Sequence, residues 1–399
     1  MSSKINVLWV SNYNIEVGRG PMFRLLKMMD YMSEYCNLSL FSFGPIDFSI
    51  KEKASSLGIS YTSVPYEAHG WFVKNPKQIA NKILEYSLDH SINLVVITWE
   101  IWDIITATCD IMEKNNIPMA VVMHSVPFAG MLEKSYCYTF DSLIRGLKEK
   151  NAGIFFYIIL KYRQFYRYIK KLNIITMTPT VKLRLNKYFY KINLFYSNPG
   201  YALEITNSEN IPLKYDIAFM ARFEKGKGIY DLIKIIEIIK RYKKDVSLLM
   251  IGSFTFNKDA KKFKRIIKEK NLENNIVFTG WLTGVDKYKV LDSAKVFVYP
   301  SYTGDTFSIS MLEALSIGKK VICYDVPFVE LNYSGLKDVI KIKTHDYEAF
   351  ANECLKLIIT KDSCFSIENT IFVRENFGSW KEVSNSEFLC YKKILQLYN

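Results

Sequence analysis

The chain has 399 residues, of which 49% are hydrophobic and 23% charged, and its formal net charge is +13. These proportions are those of a globular protein, and the length suffices for two domains that each bury a core. The seven cysteines and four histidines are dispersed, without a CxxC pair, which argues against a disulfide framework or a zinc centre and indicates reduced thiols in the cytoplasm. No run approaches the ~20 apolar residues of a membrane span, and the opening MSSKINVLWVSNYN lacks the pattern of a signal peptide.

The first half of the chain alternates strand and helix patterns. Lys4–Ser11 predicts a buried strand, and a loop containing Gly18 leads from it into a helix. Later strands are predicted at Leu38–Phe43, Asn93–Thr98 and Pro118–His124, with helices at Gln78–Leu88 and Ile101–Asn115. This alternation predicts an α/β domain with a parallel sheet. His124 ends its strand at the edge where α/β proteins build their sites, although a hydrogen-bonded loop histidine is the other interpretation.

A basic and aromatic segment follows at residues 141–191. It contains twelve Lys or Arg residues and only two acidic ones, so it carries most of the net charge. Basic residues mixed with aromatics are typical of an interfacial helix that binds anionic lipid. Two alternatives stay open: single-stranded nucleic acid as the ligand, and an ordinary core helix with a basic solvated face.

The second half begins a new α/β series. The polar run Asn207–Lys214 predicts a linker. Strands are then predicted at Asp216–Ala221, Ser247–Gly252, Ile276–Thr279, Val296–Tyr299 and Lys320–Tyr324. Two α/β halves joined by a linker predict two Rossmann-like, parallel-sheet domains that face a central cleft.

The stretch from Tyr299 to Pro327 predicts strand, loop, helix and strand. Its helix is expected to begin near Phe307, with Asp305 or Thr306 as the N-cap. The free amides of a helix N-terminus at the carboxyl end of a parallel sheet form a site for an anion such as a diphosphate.

Two cations and a carboxylate accompany this helix. Arg222 and Lys227 lie in ARFEKGKG, directly after a predicted strand, where both could reach one anion. Glu313 lies on the predicted helix, where its carboxylate could accept hydrogen bonds from ribose hydroxyls. Arg222 and Glu313 are each also interpretable as surface charges, but their joint placement favours a nucleotide site.

In combination, these motifs resemble those of the retaining glycosyltransferases of the GT-B fold, family 4. The family pattern G-R-x-x-x-x-K-G reads A-R-F-E-K-G-K-G here, x-x-F-x-G reads I-V-F-T-G, and P-S-x-x-E-x-F-G-x-x-x-x-E-A-x-x-x-G reads P-S-Y-T-G-D-T-F-S-I-S-M-L-E-A-L-S-I-G. The closing NFGSWKEVSNSEFLCYKKILQLY resembles the family's last helix, which crosses back to the first domain. The predicted domains are therefore 1–205 on the acceptor side and 206–375 for the nucleotide-sugar, with 376–399 as the crossing helix.

By position, the resemblance implies a role for each of these residues. Arg222 and Lys227 would bind the diphosphate of a nucleotide-sugar, Asp305 would contact the donor sugar, and Glu313 would hold the ribose. His124 would lie beside the transferred sugar. The other implied donor-binding positions are Gly18 near the diphosphate, Thr306, Phe307, Ser308 and Ile309 around the phosphate, and Trp281 and Leu282 near the nucleobase. Asp305 stands where the family has glutamate, and Ser308 where it has glycine.

The sequence thus predicts a retaining hexosyltransferase that moves a sugar from a nucleoside-diphosphate-sugar to a hydroxyl acceptor. No D-x-D sequence occurs, so we expect neither a metal nor a cofactor. The basic segment predicts a lipid-linked acceptor or cell-surface glycan precursor and a peripheral position at the cytoplasmic face of the cell membrane. We expect no nucleic acid partner, because such a partner would leave Arg222, Lys227 and Glu313 without a role. The alternatives are a nucleotide-sugar epimerase of the same fold and a non-catalytic, basic nucleic-acid-binding protein. A dinucleotide-dependent oxidoreductase is disfavoured, since no GxGxxG follows the first strand.

Overall fold

The computed structural model describes residues 4–14, 19–69, 72–126, 152–203, 211–254, 257–302, 308–360 and 365–398. The chain divides into two units, one formed by Met1–Ala202 with Ser379–Asn399 and the other by Leu203–Gly378. The sequence placed these boundaries after residues 205 and 375.

The first unit is built on a seven-stranded parallel sheet, as its near-continuous apolar strands predict. Its strands are β1 (Asn6–Ser11), β2 (Asn37–Phe43), β3 (Ser60–Val64), β6 (Leu94–Ile97), β7 (Met119–Met123), β8 (Asn173–Thr176) and β9 (Asn193–Tyr196), and β4 (Ala68–His69) and β5 (Phe72–Val73) form a separate antiparallel pair. The order in the sheet is β3-β2-β1-β6-β7-β8-β9. The helices are α1 (Arg19–Tyr35), α2 (Phe48–Ser56), α3 (Pro76–Asp89), α4 (Trp102–Lys114), α5 (Ala152–Tyr168), α6 (Pro179–Tyr188) and α14 (Trp380–Leu395). The chain therefore reverses its winding direction between β1 and β6.

The last helix, α14, completes the first unit. It packs on α1, and its Tyr391 hydroxyl accepts a hydrogen bond from the Trp9 indole at 2.9 Å. The buried Glu387 carboxylate accepts from Tyr391 at 2.5 Å and pairs with the buried Arg24 guanidinium at 2.6 Å. Arg24 also donates to the Gly200 carbonyl at 2.8 Å. Every polar group of this buried network therefore has a partner, as burial requires.

The helix α5 carries part of the basic segment, and α4 meets it with three acidic side chains. Lys161 contacts Asp103, the Tyr168 hydroxyl donates to Asp110 at 2.6 Å, and Lys171, just after α5, pairs with Glu113 at 2.7 Å. These three pairs all join positions 58 residues apart, so the two helices keep one register along their length.

The opposite side of α5 remains basic and exposed. Arg163, Tyr166, Arg167 and Lys170 are exposed, whereas Phe165 is buried in the core. Part of the positive charge is thus neutralised inside the unit, and part of it faces the solvent. None of the helices in the described ranges is long and apolar enough to cross a bilayer.

The second unit is built on a six-stranded parallel sheet in the order β12-β11-β10-β13-β14-β15. Its strands are β10 (Tyr215–Met220), β11 (Leu248–Ile251), β12 (Ile276–Gly280), β13 (Ala294–Tyr299), β14 (Val321–Tyr324) and β15 (Val339–Ile342). Its helices are α7 (Ile229–Tyr242), α8 (Asn257–Glu269), α9 (Gly284–Asp292), α10 (Ile309–Ser316), α11 (Pro327–Tyr333), α12 (Tyr347–Ile359) and α13 (Ile367–Phe377). The isoleucines of α7 recur at helical spacing and bury one face in the core, which fixes this helix on the sheet directly after the ARFEKGKG loop.

Candidate functional site

The winding of the second sheet reverses between β10 and β13, which lie side by side at its centre. In an open parallel sheet, ligands bind outside the carboxyl ends of the strands at such a point. The loop that carries Arg222 and Lys227 leaves β10 here, and Pro300 to Tyr302 leave β13. The topology therefore selects the same stretches of chain as the sequence motifs do.

The loop after β10 is fixed directly on the end of β13. The Gly226 carbonyl accepts hydrogen bonds from the Ser301 hydroxyl and the Tyr302 amide, both at 3.2 Å. Gly228 has φ 78°, and a Cβ added there would lie 2.0 Å from the Pro300 carbonyl oxygen. Only glycine allows both this backbone conformation and this close approach. The position of Lys227, one residue earlier, is therefore closely defined.

The Lys227 ammonium lies at the buried end of β13. It donates to the Tyr299 hydroxyl at 3.2 Å. Burial alone would raise the pKa of Tyr299, but the charge of Lys227 and hydrogen bonds with Ser308, Lys227 and Ser301 outweigh burial and lower that pKa. The charge of Lys227 therefore places a positive group at this end of the strand, as an anion site requires. Arg222, by contrast, has a side chain that is 63% exposed and pairs with Glu224 at 3.5 Å.

The helix α10 begins at Ile309, two residues later than the sequence predicted. Ser308 occupies the N-cap position with φ 52° and ψ 87°, outside the helical region, so the predicted N-cap at Asp305 or Thr306 is wrong. Asp305, Thr306 and Phe307 themselves lie outside the described residues. Because φ near 52° favours glycine, a glycine at position 308 would be less strained than the serine that is present.

Glu313 is buried on α10, with its side chain 11% exposed. The ammonium of Lys287, on α9, contacts its Oε1 atom. Burial raises the pKa of Glu313, and the charge and hydrogen bond of Lys287 oppose that shift without cancelling it. Lys287 was not predicted as a site residue, since its only signal in the sequence is a lysine within a short helix beside the FTG turn.

Trp281 and Leu282 directly follow β12, which is the edge strand of this sheet. Trp281 is 44% exposed, which is uncommon for so large an apolar side chain. Both residues therefore lie at the same carboxyl edge as the loop after β10, two strands away from it.

In the first unit, His124 and Ser125 follow β7 and are held by Glu100, which follows β6. Glu100 Oε1 accepts the His124 amide at 2.6 Å and the Ser125 amide at 3.2 Å, and Oε2 accepts the Ser125 hydroxyl at 3.3 Å. Glu100 was not predicted as a site residue, although a carboxyl group just past a buried strand is a usable signal. Gly18 lies outside the described residues.

The two titratable groups at this edge have shifted pKa values. Desolvation raises the pKa of Glu100 to about 7, even though the hydrogen bonds from Ser125 and His124 lower it. Desolvation, followed by the charge of Arg24, lowers the pKa of His124 to about 4. The imidazole is therefore neutral at physiological pH and can exchange hydrogen bonds with an uncharged group.

Residues 204–369 match the family model described as Glycosyl transferases group 1. The matched residues make up most of the second unit, Leu203–Gly378. An uncharacterized glycosyltransferase of Methanocaldococcus jannaschii, MJ1069, is 25% identical over 198 residues, which cover 47% of this chain. The match spans 46% of that relative, so the chain covers about half of the length of this relative.

Solved glycosyltransferase structures match almost the whole chain in fold. Anabaena Alr3699/HepE in complex with UDP has a TM-score of 0.73 at 11% identity, covering 98% of this chain and 100% of that chain. A glycosyltransferase from Rickettsia africae ESF-5 has a TM-score of 0.71 at 15% identity, covering 98% and 99%. The two Rossmann-like, parallel-sheet domains are thus those of the GT-B fold, as the sequence predicted.

Proposed function

We propose that this protein transfers a sugar from a nucleoside-diphosphate-sugar to a hydroxyl acceptor, with retention at the anomeric carbon. The observation that carries this proposal is the position of Lys227, fixed by Gly228 at an electropositive strand end where the sheet winding reverses. The HepE structures, which contain UDP and in another crystal UDP-glucose, support a uridine nucleotide as the first donor to examine.

In this proposal, the protein mainly stabilises the departing nucleoside diphosphate. Lys227, Arg222 and the N-terminus of α10 would neutralise the charge that develops when the glycosidic bond to phosphate breaks. Glu313 would hold the ribose, and Trp281 and Leu282 would border the nucleobase. The same proposal includes the remaining roles that the resemblance implies. His124 and Asp305 would lie beside the sugar, Gly18 beside the diphosphate, and Thr306 to Ile309 around the phosphate.

We infer a same-face reaction in which the leaving phosphate helps to take the proton from the acceptor hydroxyl. A two-carboxylate hydrolase scheme is not required by this arrangement. The lysine and arginine would replace a divalent cation, so the reaction should proceed unchanged in a chelator.

The proposal is tested with Lys227→Ala. Nucleotide-sugar turnover should fall by about 10²-fold, the usual cost of removing one group that stabilises transition-state charge. Lys225→Ala is the matched control, because Lys225 is an exposed lysine in the same loop. Equal rates in the two variants would remove Lys227 from the site, and the absence of binding to UDP, GDP and ADP sugars in calorimetry would remove the nucleotide donor.

We further propose that the acceptor is lipid-linked and that the exposed basic face of α5 and α6 docks on anionic membrane at the cytoplasmic surface. Between residues 159 and 191 there are nine Lys or Arg and no acidic residues, and two of the nine, Lys161 and Lys171, pair with α4. Exposed apolar side chains accompany them at Ile159, Leu160, Tyr166, Leu183 and Tyr190. Exposed basic and apolar side chains that alternate along two neighbouring helices of the sequence suit an interfacial position.

Flotation with liposomes tests this docking. Replacing Arg163, Arg167 and Lys170 by alanine should reduce binding to vesicles that contain phosphatidylglycerol, with about 1 kcal/mol lost per charge. Alanine at Lys261, Lys264 and Lys268 of α8 is the control, since it removes equal charge from an exposed helix face of the other unit. Binding that is independent of anionic lipid would contradict the proposal.

A further inference from the structure

The contact between Lys287 and Glu313 joins α9 to α10 inside the second unit. Lys287 lies in the first half of α9, and its side chain is 18% exposed. Its ammonium also lies 4.7 Å from the centre of the Tyr288 ring, a distance suited to a cation–π contact. The lysine charge is thus held between a carboxylate and an aromatic ring, largely away from water.

An ion pair this buried is not explained by stability alone. Removing two charges from water costs several kcal/mol per ion, and well-packed apolar side chains often stabilise such a position as well or better. Glu313 is the one charged residue of α10, and Leu312 and Leu315 are buried beside it. A carboxylate that is buried despite this desolvation cost indicates a ligand that donates hydrogen bonds to it.

Recognition of a ribose needs the ionised form of this carboxyl group. A carboxylate accepts hydrogen bonds on both oxygens, whereas a protonated carboxyl presents a donor in place of one acceptor. Lys287 contacts only Oε1, and within the described ranges no group hydrogen-bonds Oε2. One oxygen therefore stays available for hydroxyl groups while the other anchors the side chain.

Burial works against the ionised form. Burial is the largest influence on the pKa of Glu313, and it raises that pKa. Among the charged side chains that the structure describes, Lys287 is the one that lowers the pKa of Glu313. Without the lysine charge, protonation of Glu313 would extend to higher pH.

We propose that Lys287 is a positioning residue of the donor site, which keeps Glu313 ionised and oriented to receive the ribose hydroxyls of the nucleotide. This inference rests on the nucleotide-binding role proposed above. It predicts that Lys287 governs the pH range over which the protein binds a nucleoside diphosphate, without itself contacting the phosphates.

The experiment is calorimetric titration of the full chain with UDP, GDP and ADP from about pH 5 to about pH 8, using the nucleotide that binds wild type. In Lys287→Met, which keeps the apolar stem, affinity should begin to fall at a pH higher by about one unit or more, so that binding at mildly acidic pH is about tenfold weaker than in wild type. Lys287→Arg should restore the wild-type profile. Lys289→Met, at an exposed lysine of the same helix, should leave it unchanged.

The outcomes separate this inference from the proposal on which it rests. If wild type binds none of the three nucleotides, the donor assignment fails. A second outcome is that wild type binds a nucleotide while Lys287→Met shows the same pH profile and only a lower melting temperature. In that case Lys287 serves only to stabilise the packing of α9 on α10, and the inference is overturned. If Lys287→Met does not fold, Lys287→Gln takes its place, because it retains a hydrogen-bond donor to Glu313 without the charge, and the same shift is expected.

Discussion

Glu100 and His124 are neighbours with opposite pH responses. Between pH 4.5 and about 7 the folded protein keeps a proton on Glu100 that the unfolded chain releases, so this group makes stability fall as pH rises. Between about pH 4 and 6.5, His124 is protonated in the unfolded chain but neutral in the folded protein. This group therefore makes stability rise with pH. The two contributions oppose each other over the range that they share.

Single substitutions should therefore separate the two trends. In Glu100→Gln, the free energy of unfolding should increase from about pH 4.5 to about pH 6.5 relative to wild type, by about 1–3 kcal/mol. In His124→Gln it should decrease over the same range by a comparable amount. Urea unfolding midpoints at three pH values check both, and parallel curves for wild type and the two variants would contradict the assigned pKa shifts. Glu52→Gln, at an exposed glutamate of α2 in the same unit, is the control.

Contacts between two polar groups of this kind could not be predicted from the sequence. Glu100 and His124 are 24 positions apart, and Lys287 and Glu313 are 26 apart. Apolar periodicity reports which face of an element is buried, but not which two polar groups meet across a sheet edge or between helices. The sequence could identify Glu313 and His124 as candidates, and only the fold could supply their partners.

At the scale of elements, the loop after β10 depends on one glycine. Gly228 and Gly280 share almost the same φ, at 78° and 77°, but a Cβ would meet the Pro300 carbonyl at Gly228 and nothing within 4 Å at Gly280. A side chain at either position would therefore be strained by the left-handed backbone. At Gly228 it would in addition collide with the carbonyl of Pro300.

Alanine at these two glycines separates the two costs. Gly280→Ala should lower the free energy of unfolding by about 1 kcal/mol, and Gly228→Ala by about 1–3 kcal/mol more, because the loop must move away from β13. Gly228→Ala should also weaken binding of UDP, since Lys227 moves with the loop. Chemical unfolding and calorimetry measure the two effects, and equal losses at both glycines would show that the close approach is not required.

Elements with strong periodicity were predicted well, whereas their ends were not. The predicted strand Asn93–Thr98 contains β6, Leu94–Ile97, because four consecutive apolar residues are buried on both faces. The start of α10 was placed too early because the left-handed backbone of Ser308 leaves no mark in an apolar pattern. The excess charge at 141–191 was visible, but its partial neutralisation by the acidic side chains of α4 depends on how two helices pack.

At the scale of the whole molecule, the described residues proposed to bind the nucleotide all belong to one unit. Arg222, Lys227, Trp281, Ser308 and Glu313 lie within Leu203–Gly378, which has its own sheet and core. A unit of this kind is expected to fold by itself.

The fragment 203–378 should therefore bind UDP with an affinity within about tenfold of the full chain, a difference of about 1.4 kcal/mol. Calorimetry on the fragment, with its Lys227→Ala variant as the control, measures this. A fragment that unfolds cooperatively but does not bind UDP, when the full chain does, would show that the first unit is needed to hold the nucleotide.

The return of α14 to the first unit has a consequence for synthesis on the ribosome. The second unit is continuous in sequence, so it can close its core as soon as it has emerged. The first unit must wait, because Trp9 and Arg24 find their partners Tyr391 and Glu387 only when the last helix leaves the ribosome. Until then the surface that α14 will cover is open to chaperones and to misassembly. The part of the chain that is made first is thus the last to be finished.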